Sequence, residues 1–347
     1  MSEFKEKLRD RLDWVGEKFG PIAKKIGKWV GYPLFFIFCF VLFAYWTFPY
    51  ERAKRFIIEQ VEYTQRGGQK VPSGYQLEIV DLGPSGLTGL SASGVRLVKL
   101  PETADERPVD VTIEEANVSL GVLSLLVGTL SVDFDVAVAG GDIEGSFSQD
   151  GSTTEIEATI EDVKLRRVGV LRGMLGLPVA GELGGEVDLV IAEEAADTTG
   201  SIELSIDGLA IGDGNTKLQI EGIPGDGLTV ERLDAGNVEF YAAVEEGSAN
   251  IERLEGRGPD IDLDGAGTLR LLQPLPMSRL DLMLRADIKD SYRERNGRTQ
   301  GMFMLIDNNR RAGAAKTPDG AFQFRISGTF GGRISGSPAG RAPMPGR

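Results

Sequence analysis

In SIELSI, at residues 201–206, serine and glutamate alternate with isoleucine and leucine. The same alternation occurs just before it, as EVDLVI at residues 186–191. Successive side chains of a β-strand point to opposite faces, so this period of two predicts strands with one apolar and one polar face. Antiparallel sheets commonly have this pattern, because one face packs and the other meets water.

Similar alternation runs through most of the chain after residue 70, which we interpret as one mainly β domain at residues 71–334. Forty of the 46 glycines follow residue 70, where they are expected at turns. Three Gly-centred stretches, at residues 181–189, 256–271 and 326–332, each predict a strand, a tight turn and a second strand. The other alternating stretches are residues 76–79, 109–113, 132–136, 155–160, 217–220, 238–244, 280–284 and 322–326.

The apolar face of such a sheet must be covered by something. A second sheet would complete a sandwich or a barrel, whereas a sheet folded over on itself would form a groove with room for acyl chains. The composition agrees with both. We therefore expect an elongated antiparallel β-sheet domain with one or two short helices, at residues 119–130 and 165–177.

The composition weakens most enzyme hypotheses. The 347 residues include no histidine and one cysteine, so the usual general base, the commonest metal ligand and any internal disulfide are missing. The sequence also lacks the common nucleophile and phosphate-binding motifs. We therefore expect no enzyme, with no catalytic residue, no metal and no cofactor.

Charge divides the chain into three parts. Lysine and arginine minus aspartate and glutamate is +5 for residues 1–70, −26 for residues 71–284 and +7 for residues 285–347. The acidic middle part would repel phosphates, so we expect no nucleic-acid partner.

An uncharged apolar run precedes the β domain. As a helix, its 17 residues would span about 26 Å, close to the short limit for crossing a bilayer. No cleavage site follows the run, so we expect an uncleaved single-pass transmembrane helix that contacts the phospholipid bilayer. The predicted membrane-anchor residues are Tyr32, Pro33, Leu34, Phe35, Phe36, Ile37, Phe38, Cys39, Phe40, Val41, Leu42, Phe43, Ala44, Tyr45, Trp46, Thr47 and Phe48.

The segments around this run complete the predicted organisation. Residues 1–31 have apolar residues at spacings of three and four and predict either an amphipathic helix on the membrane or a solvated tail. The anchor occupies residues 32–49, a juxtamembrane helix residues 50–70, and a disordered Pro/Gly-rich tail residues 335–347. Counted over the whole N-terminal segment, the basic residues favour a cytoplasmic N-terminus, with the bulk of the chain on the other side.

Two charged stretches are candidate sites. DIDLDG at residues 260–265 matches the start of an EF-hand calcium loop, but Leu271 stands where the loop needs a glutamate. The same letters also fit a strand with Ile261 and Leu263 inward and the aspartates solvated. A basic C-terminal group either docks an acidic partner or anionic lipid headgroups, or decorates a solvated loop and hairpin. Its members are Arg293, Arg295, Arg298, Arg310 and Arg311.

In order and spacing, four segments resemble the type II secretion system protein N family and, more distantly, the inner-membrane AsmA-like proteins. They cover the end of the anchor and three glycine-containing stretches of the β domain. The segments are residues 47–52 (TFPYER), 118–132 (VSLGVLSLLVGTLSV), 177–185 (LPVAGELGG) and 324–330 (FRISGTF).

The resemblance implies an inner-membrane protein with a periplasmic β-rich domain that acts as an accessory component of type II secretion. Its expected partners are other secretion-system envelope proteins. The AsmA-like relatives imply an alternative, in which a folded-over sheet binds lipid in an apolar groove for outer-membrane maintenance. Neither family supplies catalytic residues to this sequence.

Overall fold

A computed structural model describes residues 47–66, 69–86, 88–100, 109–121, 124, 128–218, 227–272, 277–329 and 334–344, with residues 32, 35, 36, 39, 40, 42, 43 and 45. The chain divides into two compact units, Met1–Ala53 and Lys54–Arg347. The predicted N-terminal segment, residues 1–31, lies outside the described residues. Among the described residues, no helix is both long and apolar enough to cross a membrane.

Eighteen strands are described: β1 (Tyr63–Arg66), β2 (Gln69–Pro72), β3 (Tyr75–Ser85), β4 (Gly89–Lys99), β5 (Val109–Leu120), β6 (Leu130–Val138), β7 (Gly141–Asp150), β8 (Thr153–Lys164), β9 (Val179–Ile191), β10 (Thr199–Ile211), β11 (Lys217–Leu218), β12 (Leu228–Thr229), β13 (Leu233–Glu245), β14 (Ser248–Arg257), β15 (Ile261–Arg270), β16 (Arg279–Ile288), β17 (Phe322–Thr329) and β18 (Ile334–Pro338). The helices that follow the N-terminal run are α1 (Tyr50–Glu62), α2 (Gly169–Leu175), α3 (Asp290–Arg293), α4 (Gly297–Asn308) and α5 (Arg310–Ala315), with 3₁₀ turns at Leu165–Arg167 and Ala195–Asp197.

Fourteen strands form one antiparallel sheet in which the order along the sheet follows the order along the chain, from β3 to β10 and from β13 to β18. The pairs β1–β2 and β11–β12 are separate two-stranded sheets. With strands about 4.8 Å apart, the large sheet is about 60 Å across. The prediction of a mainly β, antiparallel fold is confirmed, and each predicted alternating stretch contributes to a strand.

The long connections of the large sheet lie at one end, which we call the helical end. They are residues 165–178, 212–232 and 289–321 and carry α2, β11, β12 and α3 to α5. The described connections at the opposite end are shorter and include the turns at residues 151–152 and 246–247. The helical end therefore has most of the non-strand structure of the domain.

Several elements differ from the sequence prediction. Gly184 and Gly185 lie inside β9, and Gly265 and Gly267 inside β15, so these glycines are not at turns. Residues 165–177 are helical as predicted, whereas the ends of the predicted helix at residues 119–130 belong to β5 and β6, with most of the residues between them outside the described part.

The segments next to the sheet differ as well. Helix α1 ends at Glu62 and gives way to the β1–β2 hairpin, where Thr64 and Val71 pair, instead of continuing towards residue 67. Residues 334–338, which include the start of the expected tail, form β18, because their backbone pairs with the outer side of β17.

One edge of the large sheet is protected by α1. The Lys54 ammonium donates a hydrogen bond of 2.8 Å to the carbonyl oxygen of Val80 in β3. The backbone N–H of Leu77 donates to the Glu62 carboxylate at 3.4 Å. Unpaired backbone groups at a sheet edge can pair with a strand of another chain. The side chains of Lys54 and Glu62 occupy two such groups, the carbonyl of Val80 and the N–H of Leu77.

The large sheet is bent at β13 to β15. Strands two positions apart lie about 9.6 Å apart in a flat sheet, yet Cα atoms of β13 and β15 approach within 8 Å. Ala242, Val244 and Ala249 on the apolar face of this region are buried. The bend therefore brings the apolar side chains of neighbouring strands together on the concave side.

Candidate functional site

One row of directly opposed residues crosses all fourteen strands without a polar side chain. Each member is the registered partner of the next, so the row lies on a single face of the sheet. Its members, from β3 to β18, are Pro84, Leu90, Val118, Phe134, Gly145, Ala158, Val187, Ile202, Ala242, Ile251, Gly267, Leu282, Ile326 and Gly336.

Part of this apolar face is open to solvent. On β5 to β8, Val118 is 39% exposed and Leu120 is 42% exposed, and the other large apolar side chains of that face are half-buried. We call this surface the open strip. Its members are Val111, Ile113, Ala116, Val118, Leu120, Val132, Phe134, Val136, Val138, Ile143, Phe147, Ile156, Ala158 and Ile160.

The same face is closed from β9 to β17. Buried residues there form one cluster that includes Leu189, Ala242, Ile251, Leu269 and Leu282. Large contiguous apolar surfaces that are open to solvent usually mark a binding site. The difference between the two regions therefore makes the open strip the candidate functional site.

Glycines shape the apolar face where large side chains need room. A Cβ at Gly265 would lie 2.8 Å from a methyl carbon of Leu254, and one at Gly185 would lie 2.9 Å from a methyl carbon of Leu204. Glycine kinks also allow a sheet to curve. These glycines continue the period-two pattern of apolar residues, which is the sequence signal for a place inside a strand, so the prediction that they lie at turns is wrong.

At the helical end, the segment between β8 and β9 crosses the end of the open strip. We call residues 164–178 the strap. The Arg167 guanidinium lies 3.8 Å from the Glu114 carboxylate of β5, and a Cβ at Gly169 would lie 2.6 Å from the carbonyl oxygen of Asp110. The strap thus leaves β8 and reaches β5, two strands beyond its neighbour β7.

The strap is fixed by its leucines. Leu165 and Leu177 are buried, and Leu165 joins a cluster with Val179, Leu209 and Val238. This cluster closes the concave side of β9 to β16 at the helical end. The basic side chains of the strap, in contrast, are exposed.

Helices α3 to α5 complete the helical end near β17. Tyr292, Met302, Phe303 and Phe322 are buried together, and the rings of Tyr292 and Phe303 meet edge to face at 6.1 Å. The Tyr292 hydroxyl donates a hydrogen bond of 2.7 Å to the carbonyl oxygen of Glu231. Burial raises the pKa of Tyr292 to about 12.

These helices stand where one of the two sequence interpretations placed a solvated loop and hairpin. Asn296 caps α4, because its side chain accepts hydrogen bonds from the backbone N–H groups of Arg298 and Thr299 at 2.9 and 3.1 Å. The Thr299 hydroxyl accepts in turn from the backbone N–H of Asn296 at 3.1 Å. This capping box, followed by GMFMLI, is the signal that the sequence prediction missed.

Three arginines of the basic group have partners within the protein. The Arg293 guanidinium lies 4.6 Å from the centre of the Phe303 ring, and Arg295 forms an ion pair with the buried Asp260. Arg298 lies 3.4 Å from the Glu231 carboxylate. The side chains of Arg310 and Arg311, the other two of the group, lie outside the described part.

The aspartates of the EF-hand-like stretch have separate basic partners. Asp260 is 5% exposed, pairs with Arg295 and accepts a hydrogen bond of 2.9 Å from the backbone N–H of Asp234. Asp262 lies 3.1 Å from Lys289, and Asp264 lies 2.6 Å from Arg257.

In the described part of the chain, no group of acidic or cysteine side chains could hold a metal ion. Ile261 is buried, as the strand interpretation expected, and Leu263 is half-buried. Asp260, however, is buried and ion-paired and not solvated.

The polar face is acidic between β6 and β10. Five carboxylate pairs stand directly opposite each other on neighbouring strands: Asp135 and Glu144, Asp142 and Glu161, Glu157 and Asp188, Glu182 and Asp207, and Glu186 and Glu203.

Towards β17 the carboxylates have arginine partners. The Arg325 guanidinium Nε donates to Asp281 Oδ1 at 2.7 Å and holds the pKa of Asp281 below its usual range. The polar face is therefore more negative at β6 to β10, behind the open strip, than it is near β17.

The predicted membrane-anchor residues belong to the first unit. Those that the structure describes between Tyr32 and Thr47 are helical and exposed, including Cys39. Phe48 follows the helical residues and is also exposed, and the other members of the run lie outside the described residues.

Comparisons with protein-family models, with curated proteins and with solved structures find no match. The family resemblance of the sequence therefore stays a prediction.

Proposed function

We propose that this protein is a membrane-anchored lipid-handling protein that binds acyl chains along the apolar face of its sheet. The observation that carries the proposal is the unbroken apolar row from β3 to β18, together with its open strip between β5 and β8. The role proposed from the sequence for residues 32–48 is to hold the protein at a membrane, where acyl chains are available.

The free energy of transfer suits a protein that exchanges acyl chains with a membrane better than one that holds them permanently. Moving a CH₂ group from water to an apolar surface gains about 0.8 kcal/mol. Moving the same group from the bilayer interior to the strip gains almost nothing, because both surroundings are apolar. The strip would therefore accept a chain from a membrane and release it again with little net change in free energy.

Photocrosslinking in the full chain tests the proposal. Benzoylphenylalanine replaces Val136 on the open strip or Asp135, its neighbour on the polar face, and the protein is irradiated in lipid vesicles. We expect an adduct with the mass of a lipid at position 136 and little or none at position 135. Equal labelling at the two positions would reject the proposal.

A second pair guards against a local effect of the probe. Val118 and Asn117 occupy the two faces of β5 in the same way, so the probe at position 118 should also capture lipid. Loss of adducts at both apolar positions would mean that the strip does not bind acyl chains.

The resemblance also carries the accessory role in type II secretion as a second prediction, with the bulk of the chain in the periplasm. A role through protein contacts would give protein adducts at the strip, and gene deletion would block secretion of specific exoproteins while the envelope stays intact. Lipid handling predicts the reverse, which is sensitivity to detergent with secretion preserved.

A further inference from the structure

The strap has an unusual charge for its surroundings. Residues 71–284 contain 13 lysines and arginines against 39 aspartates and glutamates. Four of the basic residues, Lys164, Arg166, Arg167 and Arg172, lie within nine positions, and residues 163–181 contain no acidic residue. The most basic segment of this acidic region therefore coincides with the strap.

The strap also lies where the open strip ends. A Cβ at Gly140, in the turn between β6 and β7, would lie 2.7 Å from an Arg167 nitrogen and 3.7 Å from Cδ of Lys164. Val138, the last strip residue of β6, precedes this turn directly. An apolar surface and a group of cations thus adjoin at one end of the sheet.

Nearby carboxylates occupy the strap's cations only in part. Glu114 lies 3.8 Å from Arg167. Hydrogen bonds from the backbone N–H groups of Thr216 and Asn215 are the main reason that the pKa of Asp213 is lowered, and the charge of Arg172 adds to this effect. Asp110 is engaged by Arg96 at 3.0 Å. Lys164 stands opposite Glu182 on the polar face, whereas Arg166 is exposed and therefore accessible to a ligand.

We propose that the strap binds the anionic headgroup of a phospholipid whose acyl chains lie on the open strip. Arginine and lysine recognise phosphate through charge-assisted hydrogen bonds, and the acidic polar face would repel the same group. The two effects together orient the lipid, with its headgroup at the helical end. This inference rests on the proposed function. It adds the class of lipid and the orientation of that lipid on the open strip.

The test measures lipid preference in the full chain. The protein with benzoylphenylalanine at position 136 is reconstituted in vesicles with equal amounts of phosphatidylglycerol and phosphatidylethanolamine. We expect adducts enriched at least threefold in phosphatidylglycerol. In the variant Arg166→Gln/Arg172→Gln the ratio should fall towards one, and raising the salt concentration should lower it in the unmodified protein.

A matched control removes the same charge elsewhere. Arg270 and Arg279 are exposed and stand opposite each other at the far end of β15 and β16, so Arg270→Gln/Arg279→Gln should keep the enrichment. An unselective ratio in the unmodified protein, or enrichment that survives in the Arg166/Arg172 variant, would overturn the headgroup assignment while lipid adducts persist. Absence of any lipid adduct would instead overturn the proposed function.

Discussion

Gly145 in β7 stands directly opposite Phe134 in β6, and a Cβ at residue 145 would lie 2.6 Å from Cζ of the phenylalanine ring. The ring therefore lies across the glycine, in space that any other residue would fill. This pair is at the centre of the open strip, so the shape of the proposed acyl-chain surface depends on the missing side chain.

We expect Gly145→Ala to destabilise the fold by about 1–3 kcal/mol, the usual cost of overpacking. The new methyl group would meet Phe134 and, even closer, the carbonyl oxygen of Glu157 on β8, which is backbone and cannot rotate away. Chemical denaturation of the full chain in detergent measures the change.

Gly184→Ala is the control for that substitution. Gly184 also lies inside a strand, but a Cβ built there would lie 3.4 Å from the nearest atom. The stability of the Gly184→Ala variant should therefore differ from that of the unmodified protein by no more than about 0.5 kcal/mol. Equal losses in the two variants would mean that glycine matters here through the backbone and not through the space beside Phe134.

The strand pattern was predictable because it depends on local alternation. In β10, each isoleucine or leucine of SIELSI faces the same way as the sequence pattern requires. The role of Gly145 was not, because a glycine at a turn and a glycine under a neighbour's side chain look alike in one sequence. The difference appears only when β6 is in register beside β7.

The candidate site was predictable in part. An apolar face followed from the alternation, and a groove was one of the two arrangements considered. The placement of the strap was not predictable, because its contact with Asp110 and Glu114 joins residues more than fifty positions apart. The helices near Tyr292 escaped prediction because their stability comes from packing against β17 as much as from the cap at Asn296.

We expect Asp260→Asn to destabilise the protein by about 1.5–3 kcal/mol, the usual contribution of a hydrogen bond to a charged group, because the buried carboxylate is the ion-pair partner of Arg295. The comparison is Asp281→Asn, which breaks an ion pair with Arg325 whose side chains are 45% and 56% exposed. Such exposed pairs contribute about 0–1 kcal/mol. Urea denaturation distinguishes the two, and similar losses would contradict the buried role of Asp260.

Glu203→Lys should stabilise the sheet, because it replaces a carboxylate that stands opposite Glu186. Opposite charges across strands contribute about 0.2–1 kcal/mol, and the gain should shrink as salt is added. Glu245→Lys is the control, since Glu245 stands opposite the neutral Ser248. If both variants gain equally, the benefit comes from the reduced net charge and not from the cross-strand pair.

The last prediction concerns stability at high pH. The pKa of Tyr292 is raised to about 12 because the buried phenol is harder to ionise, whereas a tyrosine in the unfolded chain titrates near pH 10. A raised pKa stabilises the fold fully below pH 10, and this contribution is lost as pH rises through 12. The melting temperature should therefore fall more steeply between pH 10 and 12 in the unmodified protein than in Tyr292→Phe.

Tyr292→Phe also removes the hydrogen bond to Glu231, so at pH 8 it should be less stable by about 1 kcal/mol. Its stability and that of the unmodified protein should converge as the pH rises. Tyr75→Phe, at a partly exposed tyrosine of β3, should keep the steep decline of the unmodified protein. A parallel decline in all three proteins would show that Tyr292 does not ionise with unfolding and that its burial at the helical end is incomplete.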